Sequence, residues 1–484
     1  MNTNKVYIVG AGTGRIENLT VKAKNLIEKA DIIFYDRLIN DNLLMLTKSD
    51  CKKVYVGKNP NGKATSQDTI INQLIDAVQH FPVVLRLKSG DPYIFGRGGE
   101  EAKILYDKNI PFEVVPGISS SMGGLTYAGI PITYRDIALD FHVFTGHAKD
   151  GEAKHDWKSI SQLKGTLVFM MGVKHLKNIT ESLIKNGKDP QTPVAIIEWA
   201  SRSHQKLIIG DLKSIYVKAL KAQIQPPSLI IVGKVVNFND SLNYFMRKPL
   251  FGFKIAIPQS QSRVLLPLLE DYGAEVIMFS SPIKRIKTIN LSERALSSTL
   301  YFLDISSVDS FINWMIEEKK DWRQLASLKI VSVGNHTYHR FKEIGIQPNE
   351  NIENLISLQK KKMNGKEIYL ASEETSQQLQ YIIKSFNMNN VIITSQEEFN
   401  IAENSPAIRE VDAVIYSNTK AVRSMLRYEE YVDYKTIPSY CLGNQSKKML
   451  EDLEFKTIYM SEEGTYESLM ELLISQVPSE YEED

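Results

Sequence analysis

The sequence predicts an α/β protein made of two successive halves, each built around largely parallel sheets. Short β-branched runs alternate with helical patterns of apolar residues along most of the 484 residues. The alternation restarts after the Pro- and Gly-containing segment 247–252, which predicts domains at 1–248 and 249–484. The second half also repeats a strand, polar turn and helix pattern, which predicts two similar lobes.

The first half begins with a β-loop-α-β unit. The run Lys5–Val9 is β-branched and aromatic, and the Gly-rich turn Gly10–Gly14 follows it. Thr20 stands where a helix N-cap is expected, and a second strand is predicted at 31–35. Further strands of this half are predicted at 83–87, 112–115, 141–145, 166–170, 194–197 and 229–232.

The second half opens with a strand at 254–257. Its other strands are predicted at 276–279, 301–303, 329–333, 367–370, 390–393, 413–416 and 439–442. The segments 305–311 and 333–337 have counterparts at 416–422 and 442–446, each with Ser, Thr or Asn at the start of a helix. Such helix starts favour carboxylates or phosphates, although the same residues also serve simply as helix caps, and both interpretations are open.

Composition excludes several classes of protein. Charged residues make up 24% and hydrophobic residues 43% of the chain, which excludes a disordered protein. No apolar run reaches the roughly 18 residues of a membrane span, and the N-terminus lacks the features of a signal peptide. Cys51 and Cys441 form no metal or disulfide pattern, and His142, His147 and His175 are not spaced as metal ligands. We therefore expect a cytoplasmic protein without a metal site.

The net charge of +1 conceals an asymmetry between the halves. Residues 1–248 contain 33 Lys and Arg against 23 Asp and Glu, a balance of +10, and the remaining 25 against 34 give −9. The first half should therefore attract anions. It has no long Lys/Arg run, zinc-finger pattern or interleaved aromatics, so nucleic acid is not an expected partner.

Three glycine-rich clusters indicate a ligand site in the first half. The turn Gly10–Gly14 is by itself compatible with a nucleotide-type ligand or with no ligand. The segment 86–101 combines four glycines with Arg86, Lys88 and Arg97, so it favours a ligand with acidic groups. The third cluster, 115–136, places small residues at a helix start and then a turn that presents an arginine.

Together these clusters resemble the uroporphyrinogen-III C-methyltransferases of the tetrapyrrole methylase superfamily. The resemblance covers 5–235 and rests on VYIVGAGTG, ADIIFYDRL, RLKSGDPYIFGRGGEE, FEVVPGISS, YAGIPITYR, GTLVFMMG, TPVAII and SLIIVGKVV. Diphthine synthases and ribosomal RNA methylases of the same fold fit less well, since they are not expected to contain FGRGGEE and YAGIPITYR together.

Residues 252–484 resemble uroporphyrinogen-III synthase. This resemblance rests on the two-lobed repeat, the VGNHT element, the length and the fusion partner. The two resemblances imply a two-lobed tetrapyrrole methylase fold followed by a two-lobed α/β synthase fold. Lobe one of the synthase is expected at 252–284 plus 402–484 and lobe two at 288–395, joined by segments 286–289 and 395–401.

The resemblances imply a bifunctional enzyme of siroheme or cobalamin biosynthesis. The C-terminal half would cyclise hydroxymethylbilane to uroporphyrinogen III without a cofactor. The N-terminal half would methylate that product twice with S-adenosylmethionine, giving precorrin-2. The partners implied are small tetrapyrroles and a second copy of the chain, as a homodimer through the methyltransferase half, with no membrane involved.

The resemblance also implies site residues in the methyltransferase half. Asp36 matches the proton acceptor of the family and Lys58 its proton donor; the alternative for Asp36 is an ion pair with Arg37 or a nearby lysine. The residues at substrate-handling positions are Arg97, Glu100 and Arg135, and we expect Arg37 and Arg86 beside them, since the substrate has eight carboxylates. The residues at S-adenosylmethionine positions are Thr13, Ser89, Gly90, Asp91, Ile94, Ser119, Ser120, Met171 and Ala200.

The synthase half offers weaker indications. Its family binds a flexible polyanion, and backbone amides with small polar side chains at helix starts can do this without net positive charge. The residues that we expect to contact carboxylates are Thr337, Ser417, Asn418, Gly443 and Asn444.

The methyltransferase half departs from the usual family pattern at several positions. Thr13 replaces a proline, Arg15 an acid, Ser89 a glycine and Tyr134 a histidine, and Ala200-Ser201 replaces Gly-Thr. A positive φ at Ser89 would cost about 1 kcal/mol or more. These departures leave two alternatives open: a degenerate methylase that binds tetrapyrrole as a scaffold or sensor, and a methylase of a later corrinoid with an unrelated C-terminal domain.

Overall fold

The computed structural model describes residues 4–48, 50–57, 65–148, 151–152, 155–280, 283–287, 289, 291, 298–321, 323, 326, 328–361, 367–383, 388–398, 410–428 and 432–477. The chain divides into two compact units, Met1–Phe279 with Asn404–Asp484 and Ser280–Glu403. The predicted boundary at 248/249 lies inside the first unit, between its second and third sheets. No helix in the described ranges is long and apolar enough to cross a membrane.

The first sheet is parallel throughout, in the order β3-β2-β4-β1-β5. Its strands are β1 (Lys5–Gly10), β2 (Ile32–Tyr35), β3 (Lys52–Tyr55), β4 (Val83–Lys88) and β5 (Phe112–Val115). The helices between and after them are α1 (Val21–Lys29), α2 (Asp41–Met45), α3 (Gln67–His80), α4 (Gly98–Asp107) and α5 (Ser120–Tyr127). Thr20 caps α1, as predicted, by accepting a hydrogen bond from the N–H of Ala23 (3.1 Å).

The second sheet has the order β11-β10-β12-β9-β6, and it is antiparallel except between β6 and β9. Its strands are β6 (Phe141–Thr145), β9 (Thr166–Met170), β10 (Pro193–Glu198), β11 (Lys206–Asp211) and β12 (Ser228–Val232), and β7 (His147–Ala148) and β8 (Gly151–Glu152) form a small ribbon. The helices are α6 (Trp157–Gln162), α7 (Leu176–Lys185), α8 (Ile215–Lys221) and α9 (Asn239–Leu242). The mostly parallel arrangement predicted for this half therefore holds for its first sheet only.

The chain then opens a third sheet with β13 (Lys254–Pro258), α10 (Ser262–Asp271) and β14 (Glu275–Phe279), and continues into the second unit. That unit contains β15 (Ile283–Ile286), β16 (Thr299–Phe302), β17 (Lys329–Val333), β18 (Glu350–Ile352), β19 (Ile368–Ser372) and β20 (Val391–Glu398), with helices α11 (Ile305–Glu317), α12 (Asn335–Glu343) and α13 (Glu373–Ile382). The sheet order is β15-β20-β19-β16-β17-β18, and only β15 runs antiparallel to its neighbour.

The two segments predicted to join the synthase lobes include part of a strand pair. Ile286 of β15 is in register with Ser395 of β20. Residues 399–401 of the second predicted segment lie outside the described residues.

The chain returns to the third sheet with β21 (Ala413–Tyr416), β22 (Ser439–Cys441) and β23 (Ile458–Met460), giving the parallel order β14-β13-β21-β22-β23. Helices α14 (Thr419–Leu426), α15 (Asn444–Asp452) and α16 (Tyr466–Ser475) connect or follow these strands. Leu265 of α10 and Leu469 of α16 are fully buried against Ile257 of β13 in one core. Both ends of the synthase-like half thus build one sheet.

Candidate active site

Three strand ends of the first sheet meet at glycines. Gly10 ends β1, Gly90 follows β4 and Gly117 follows β5. A Cβ atom added to Gly117 would lie 2.2 Å from the carbonyl oxygen of Gly90 and 2.8 Å from Cα of Gly10, distances that no side chain can occupy. The backbones of the three loops therefore pack directly on one another at this edge of the sheet, where only glycine fits.

The Gly-rich turn after β1 is joined to the turn after β4 by two hydrogen bonds. The N–H of Gly12 donates to the carbonyl of Gly90 (3.2 Å), and the N–H of Gly90 donates to the carbonyl of Gly12 (2.8 Å). Both glycines are left-handed, with φ of 66° and 69°. Because the left-handed position is Gly90 and not Ser89, the strain considered for Ser89 does not arise.

Helix α5 begins at the same edge. Ser119 caps it by accepting a hydrogen bond from the N–H of Ser121 (3.3 Å), and Ser120 is its first residue. One turn later, a Cβ atom at Gly123 would lie 3.0 Å from Cγ2 of Thr13. The Gly-rich turn and the first turn of α5 are thus in contact, which brings the predicted residues Thr13, Ser119 and Ser120 together.

The second sheet borders α5 through Ala200 and the end of β9. A Cβ atom at Gly124 would lie 3.0 Å from Cβ of Ala200 and 2.8 Å from Cδ1 of Leu229. Leu229 is in register with Met170, and the next residue, Met171, is left-handed (φ 55°) and half exposed. Thr13 of the Gly-rich turn and Ala200 beside the second sheet therefore border one helix.

Asp91 shapes the loop after β4. Its carboxylate accepts hydrogen bonds from the N–H of Tyr93 (2.8 Å) and the N–H of Gly117 (3.0 Å). These bonds tie the β4 loop to the β5 loop, so Asp91 supports the glycine edge. Ile94, also predicted at the donor site, is partly exposed in the same loop.

Asp36 follows β2 and is held at the sheet edge by two groups. Its Oδ1 accepts a hydrogen bond from the N–H of Leu38 (3.2 Å), and its Oδ2 lies 3.8 Å from the guanidinium of Arg86. The Asp36 side chain is 31% exposed, so its carboxylate remains accessible. Lys58, the predicted proton donor, lies outside the described residues.

A buried charge cluster lies behind Asp36. Glu101 of α4 is fully buried, and its Oε1 accepts hydrogen bonds from Lys88 (3.0 Å), Gln67 (2.7 Å) and Nε of Arg86 (3.3 Å). Burial and the nearby Arg86 charge lower the pKa of Lys88. Arg86, which we expected beside the substrate, is instead buried and paired with Glu101, and its guanidinium lies 3.8 Å from the carboxylate of Asp36.

Arg97 and Glu100 form an exposed ion pair at the start of α4. The guanidinium of Arg97 contacts the carboxylate at 3.0 Å (Nε to Oε1) and 2.6 Å (the terminal nitrogen to Oε2), and each side chain is 56% exposed. Arg97 is left-handed (φ 59°), a conformation uncommon for arginine. Since β2 and β4 are adjacent and parallel, Asp36 and Arg97 both follow strands at the same sheet edge.

Arg135 is presented by a tight turn. Tyr134 and Ala138 exchange two backbone hydrogen bonds of 3.0 and 2.9 Å, and Arg135 is exposed between them. The ring of Tyr134 stacks on Phe238 with centroids 4.1 Å apart. This stacking accommodates the tyrosine that replaces the usual histidine before Arg135.

In the third sheet, β21 and β22 are adjacent and parallel, so α14 and α15 begin at the same edge. The Oδ1 of Asn418 caps α14 by accepting from the N–H of Ala421 (3.0 Å), and its amide lies 3.5 Å from the hydroxyl of Ser417. Nothing lies within 4 Å of the position that a Cβ atom at Gly443 would take. The backbone at Gly443 and Asn444 is therefore open to a ligand.

In the second unit, Thr337 lies in the first turn of α12. It is only 3% exposed, which does not fit the direct carboxylate contact that we expected of its hydroxyl. Gly334 (φ 85°) precedes the helix with nothing within 4 Å of its Cβ position, and Asn335 and His336 are exposed. These residues are the accessible part of this helix start.

The two halves match two known families. Residues 5–216 match the family Tetrapyrrole (Corrin/Porphyrin) Methylases, and residues 263–471 match the family Uroporphyrinogen-III synthase HemD. A Priestia megaterium protein named Uroporphyrinogen-III C-methyltransferase is 45% identical over 238 residues, which cover 49% of this chain and 99% of that protein. The chain belongs to the uroporphyrinogen-III C-methyltransferase family.

Two further relatives cover different parts of the chain. The Ruminiclostridium josui protein named Porphyrin biosynthesis protein HemD is 29% identical over 493 residues, 97% of each chain. A crystal structure of uroporphyrin-III C-methyl transferase from Thermus thermophilus, complexed with S-adenyl homocysteine, is 36% identical and covers 48% of this chain and 93% of that one, with a TM-score of 0.42.

The chain is therefore a methylase domain fused to a HemD-type synthase domain, and it is a bifunctional enzyme of tetrapyrrole biosynthesis. The predicted resemblance and fold class are confirmed. Within the described residues, no group of three or more His, Cys, Asp or Glu side chains is arranged to hold a metal ion.

The sequence interpretation missed several supporting residues of the methyltransferase site. Gly117 stands in the VPGISS stretch directly after a strand, and this position was a sufficient signal for a close backbone approach. Glu101, the buried acid, is the second glutamate of GGEE, and no local pattern separates it from the exposed Glu100. Arg15 and Arg202, discussed below, contact residues far away in sequence, so no local signal identified them.

Proposed function

We propose that the N-terminal half transfers two methyl groups from S-adenosylmethionine to carbon atoms of uroporphyrinogen III, giving precorrin-2, and that the C-terminal half makes uroporphyrinogen III from hydroxymethylbilane. The observation that supports this best is the glycine edge at Gly10, Gly90 and Gly117, with Asp36 and Arg97 following adjacent strands of the same sheet. Membership of the methyltransferase family and the HemD-type match support the two reactions.

The residues at the glycine edge fit a methyl donor of this size and polarity. Glycine backbone lies at the strand ends, Ala200 adds apolar surface beside α5, and the Met171 side chain is half exposed. The bound S-adenosylmethionine supplies an electrophilic methyl group on a sulfonium. The residues that would hold it are Thr13, Ser89, Gly90, Asp91, Ile94, Ser119, Ser120, Met171 and Ala200.

The protein contributes mainly positioning and a base. A pyrrole carbon is an enamine-like nucleophile, so holding it in line is the largest part of the task. Asp36 accepts the proton that leaves the ring system, and the hydrogen bond from Leu38 and the charge of Arg86 keep its carboxylate oriented.

Substrate carboxylates bind to exposed arginines. Arg97 forms an ion pair with the exposed carboxylate of Glu100, and exposed pairs contribute about 0–1 kcal/mol, so a substrate carboxylate can replace Glu100 at little cost. Arg135 offers a second exposed guanidinium, and the balance of +10 in residues 1–248 attracts the polyanion.

In the synthase half, N–H groups at helix starts bind the substrate carboxylates in place of positively charged side chains. The open backbone at Gly443 and Asn444 and the amide of Asn418 present N–H donors to carboxylates of a linear tetrapyrrole. This explains how a half with a balance of −9 binds a polyanion. The hydroxyl of Ser417 is a further hydrogen-bond donor to these carboxylates.

We also propose a homodimer through the methyltransferase half and a cytoplasmic location. Support for the dimer is the family resemblance. Support for the location is the state of the two cysteines, since Cys51 and Cys441 are both free thiols.

A coupled assay tests the proposed function. The full chain supplied with hydroxymethylbilane and S-adenosylmethionine is expected to form precorrin-2, identified by mass and absorption. Hydroxymethylbilane alone should give the III isomer of uroporphyrinogen. Isomer I alone would reject the synthase activity. Absence of heat on titration with S-adenosylmethionine, together with absence of methylated product, would favour a non-catalytic scaffold.

The exposed pair at the start of α4 yields a second prediction. Arg97→Ala is expected to raise KM for uroporphyrinogen III about tenfold and to change the Kd of S-adenosylmethionine less than twofold, because the guanidinium binds a substrate carboxylate. Lys103→Ala removes another exposed, acid-paired cation of α4 and should leave both constants unchanged. An equal effect of Arg97→Ala on both ligands would reject this role.

A further inference from the structure

Two arginines border the Gly-rich turn, and both reach acids of the third sheet. We name the third sheet and its helices lobe one; its described residues are 253–279, 410–428 and 432–477, and it lies in the same compact unit as the turn. Arg15 follows the turn directly and is 4% exposed. Its guanidinium donates to the carbonyl of Glu270 (2.6 Å) and lies 3.8 Å from the Glu270 carboxylate.

Arg202 lies directly on the turn. A Cβ atom at Gly14 would lie 3.0 Å from Nε of Arg202, so the side chain packs against Cα of this glycine. The Arg202 guanidinium is 3.5 Å from Oε1 of Glu275, at the start of β14. Oε2 of the same carboxylate bonds with Nδ1 of His204 (2.8 Å) and accepts from the hydroxyl of Ser203 (3.2 Å).

Glu275 is charged at neutral pH although it is largely buried. Burial opposes its ionisation, but the hydrogen bond with His204 and the charge of Arg202 outweigh burial and lower the pKa of Glu275 to about 2. A buried, ionised carboxylate requires its partners, so Arg202 is firmly held in this position.

The polar groups of the turn are also satisfied around this contact. The carbonyl of Gly14 accepts from the amide of Asn40 (2.7 Å), and the carbonyl of Thr13 accepts from the hydroxyl of Ser201 (2.8 Å). Asn40 caps α2. Two residues later, the side-chain oxygen of Asn42 accepts a hydrogen bond from the N–H of Met278 in β14 (3.2 Å). The edge strand of lobe one, β14, is thus hydrogen-bonded to the segment that supports the turn.

We propose that lobe one of the synthase half positions the donor-binding turn of the methyltransferase half, with the Glu275 carboxylate acting through Arg202 and the backbone carbonyl of Glu270 acting through Arg15. The proposal rests on the proposed function in one respect, that the turn binds S-adenosylmethionine. Arg15 is a position where this sequence departs from the usual family pattern, and it lies in this contact. This departure therefore belongs to the contact between the two halves.

The consequence is a specific change in donor affinity. Without the charge on Glu275, Arg202 loses the acid that holds it at 3.5 Å and packs less firmly on Gly14, and the turn samples conformations that do not accept the donor. Binding then includes the cost of reordering the turn, so KM for S-adenosylmethionine rises while the chemical step is unchanged.

The test uses Glu275→Gln in the full chain, since glutamine keeps the size of the side chain and removes its charge. The Kd and KM of S-adenosylmethionine are expected to rise about fivefold, with kcat of methylation and the synthase rate within about twofold of wild type. Glu275→Asp keeps the charge and should restore part of the affinity. Glu410→Gln is the matched control, because Glu410 is an acid of lobe one paired with Lys254 away from the turn.

Each outcome has a distinct meaning. Wild-type Kd and KM in Glu275→Gln would overturn the positioning role. Loss of donor binding and synthase rate together would also overturn it, because it would show a general structural role. Failure of the wild-type chain to bind S-adenosylmethionine would instead reject the proposed function of the turn, before any variant is compared.

Discussion

Asp36→Asn is expected to lower the rate of methylation by about 10²-fold or more while the Kd of S-adenosylmethionine changes less than twofold. Asparagine keeps the size of the side chain and the oxygen that accepts from the N–H of Leu38 (3.2 Å), so the sheet edge is preserved. It cannot accept the proton that leaves the ring system. Initial rates at saturating donor, with calorimetric titration of the donor, measure the two effects separately.

Asp107→Asn is the control for this prediction. Asp107 is an exposed aspartate of the same half, paired with Lys103 on α4, and it does not contact the glycine edge in the described structure. Wild-type turnover in Asp36→Asn would remove Asp36 from the mechanism. A large loss of donor binding would show that the carboxylate shapes the donor site instead.

Glu101→Gln is expected to lower the free energy of unfolding of the methyltransferase half by about 3 kcal/mol, because it leaves two buried cations without their shared carboxylate. Lys88 and Arg86 both donate to Glu101, and both are buried. Thermal and urea unfolding of the full chain, followed in the transition that abolishes donor binding, measure the change. Asp36 is the only other acid that the described structure places within 4.0 Å of Arg86, and at 3.8 Å it cannot replace Glu101.

The neighbouring glutamate supplies the control. Glu100→Gln breaks an exposed pair with Arg97 in the same turn of α4, and it should change the unfolding free energy by less than about 1 kcal/mol. Equal destabilisation by the two variants would show that burial of the Glu101 cluster does not determine its contribution to the free energy of unfolding. Unchanged stability in Glu101→Gln would reject the cluster as a support of Asp36.

Much of the fold was predictable where local patterns are strong. The strands predicted at 112–115, 141–145, 166–170, 329–333 and 413–416 have those bounds in the structure. β3 was not predicted, because its Lys-Lys-Val-Tyr sequence lies mostly exposed at a sheet edge and has no apolar run. The antiparallel order of the second sheet was also missed, since strand direction depends on pairing and not on composition.

The active site was likewise predictable only where its residues follow strong local patterns. The Gly-rich turns, the helix start at Ser119 and the acid after β2 follow from residues adjacent in sequence, and glycine and small polar residues have strong local preferences. The burial of Glu101 next to an exposed Glu100 does not follow from the sequence. Two neighbouring glutamates are alike until a helix packs against a sheet.

The amino-acid sequence was enough to establish two fused domains, the family of each, and the glycine turns at the strand ends, because these depend on short motifs and backbone preferences. The tertiary structure alone showed that Arg86 is buried behind Asp36 and that Arg15 reaches Glu270 across 255 residues of chain. Such contacts form only when separate elements pack together, and the resulting burial and pairing of charges have no local pattern in sequence.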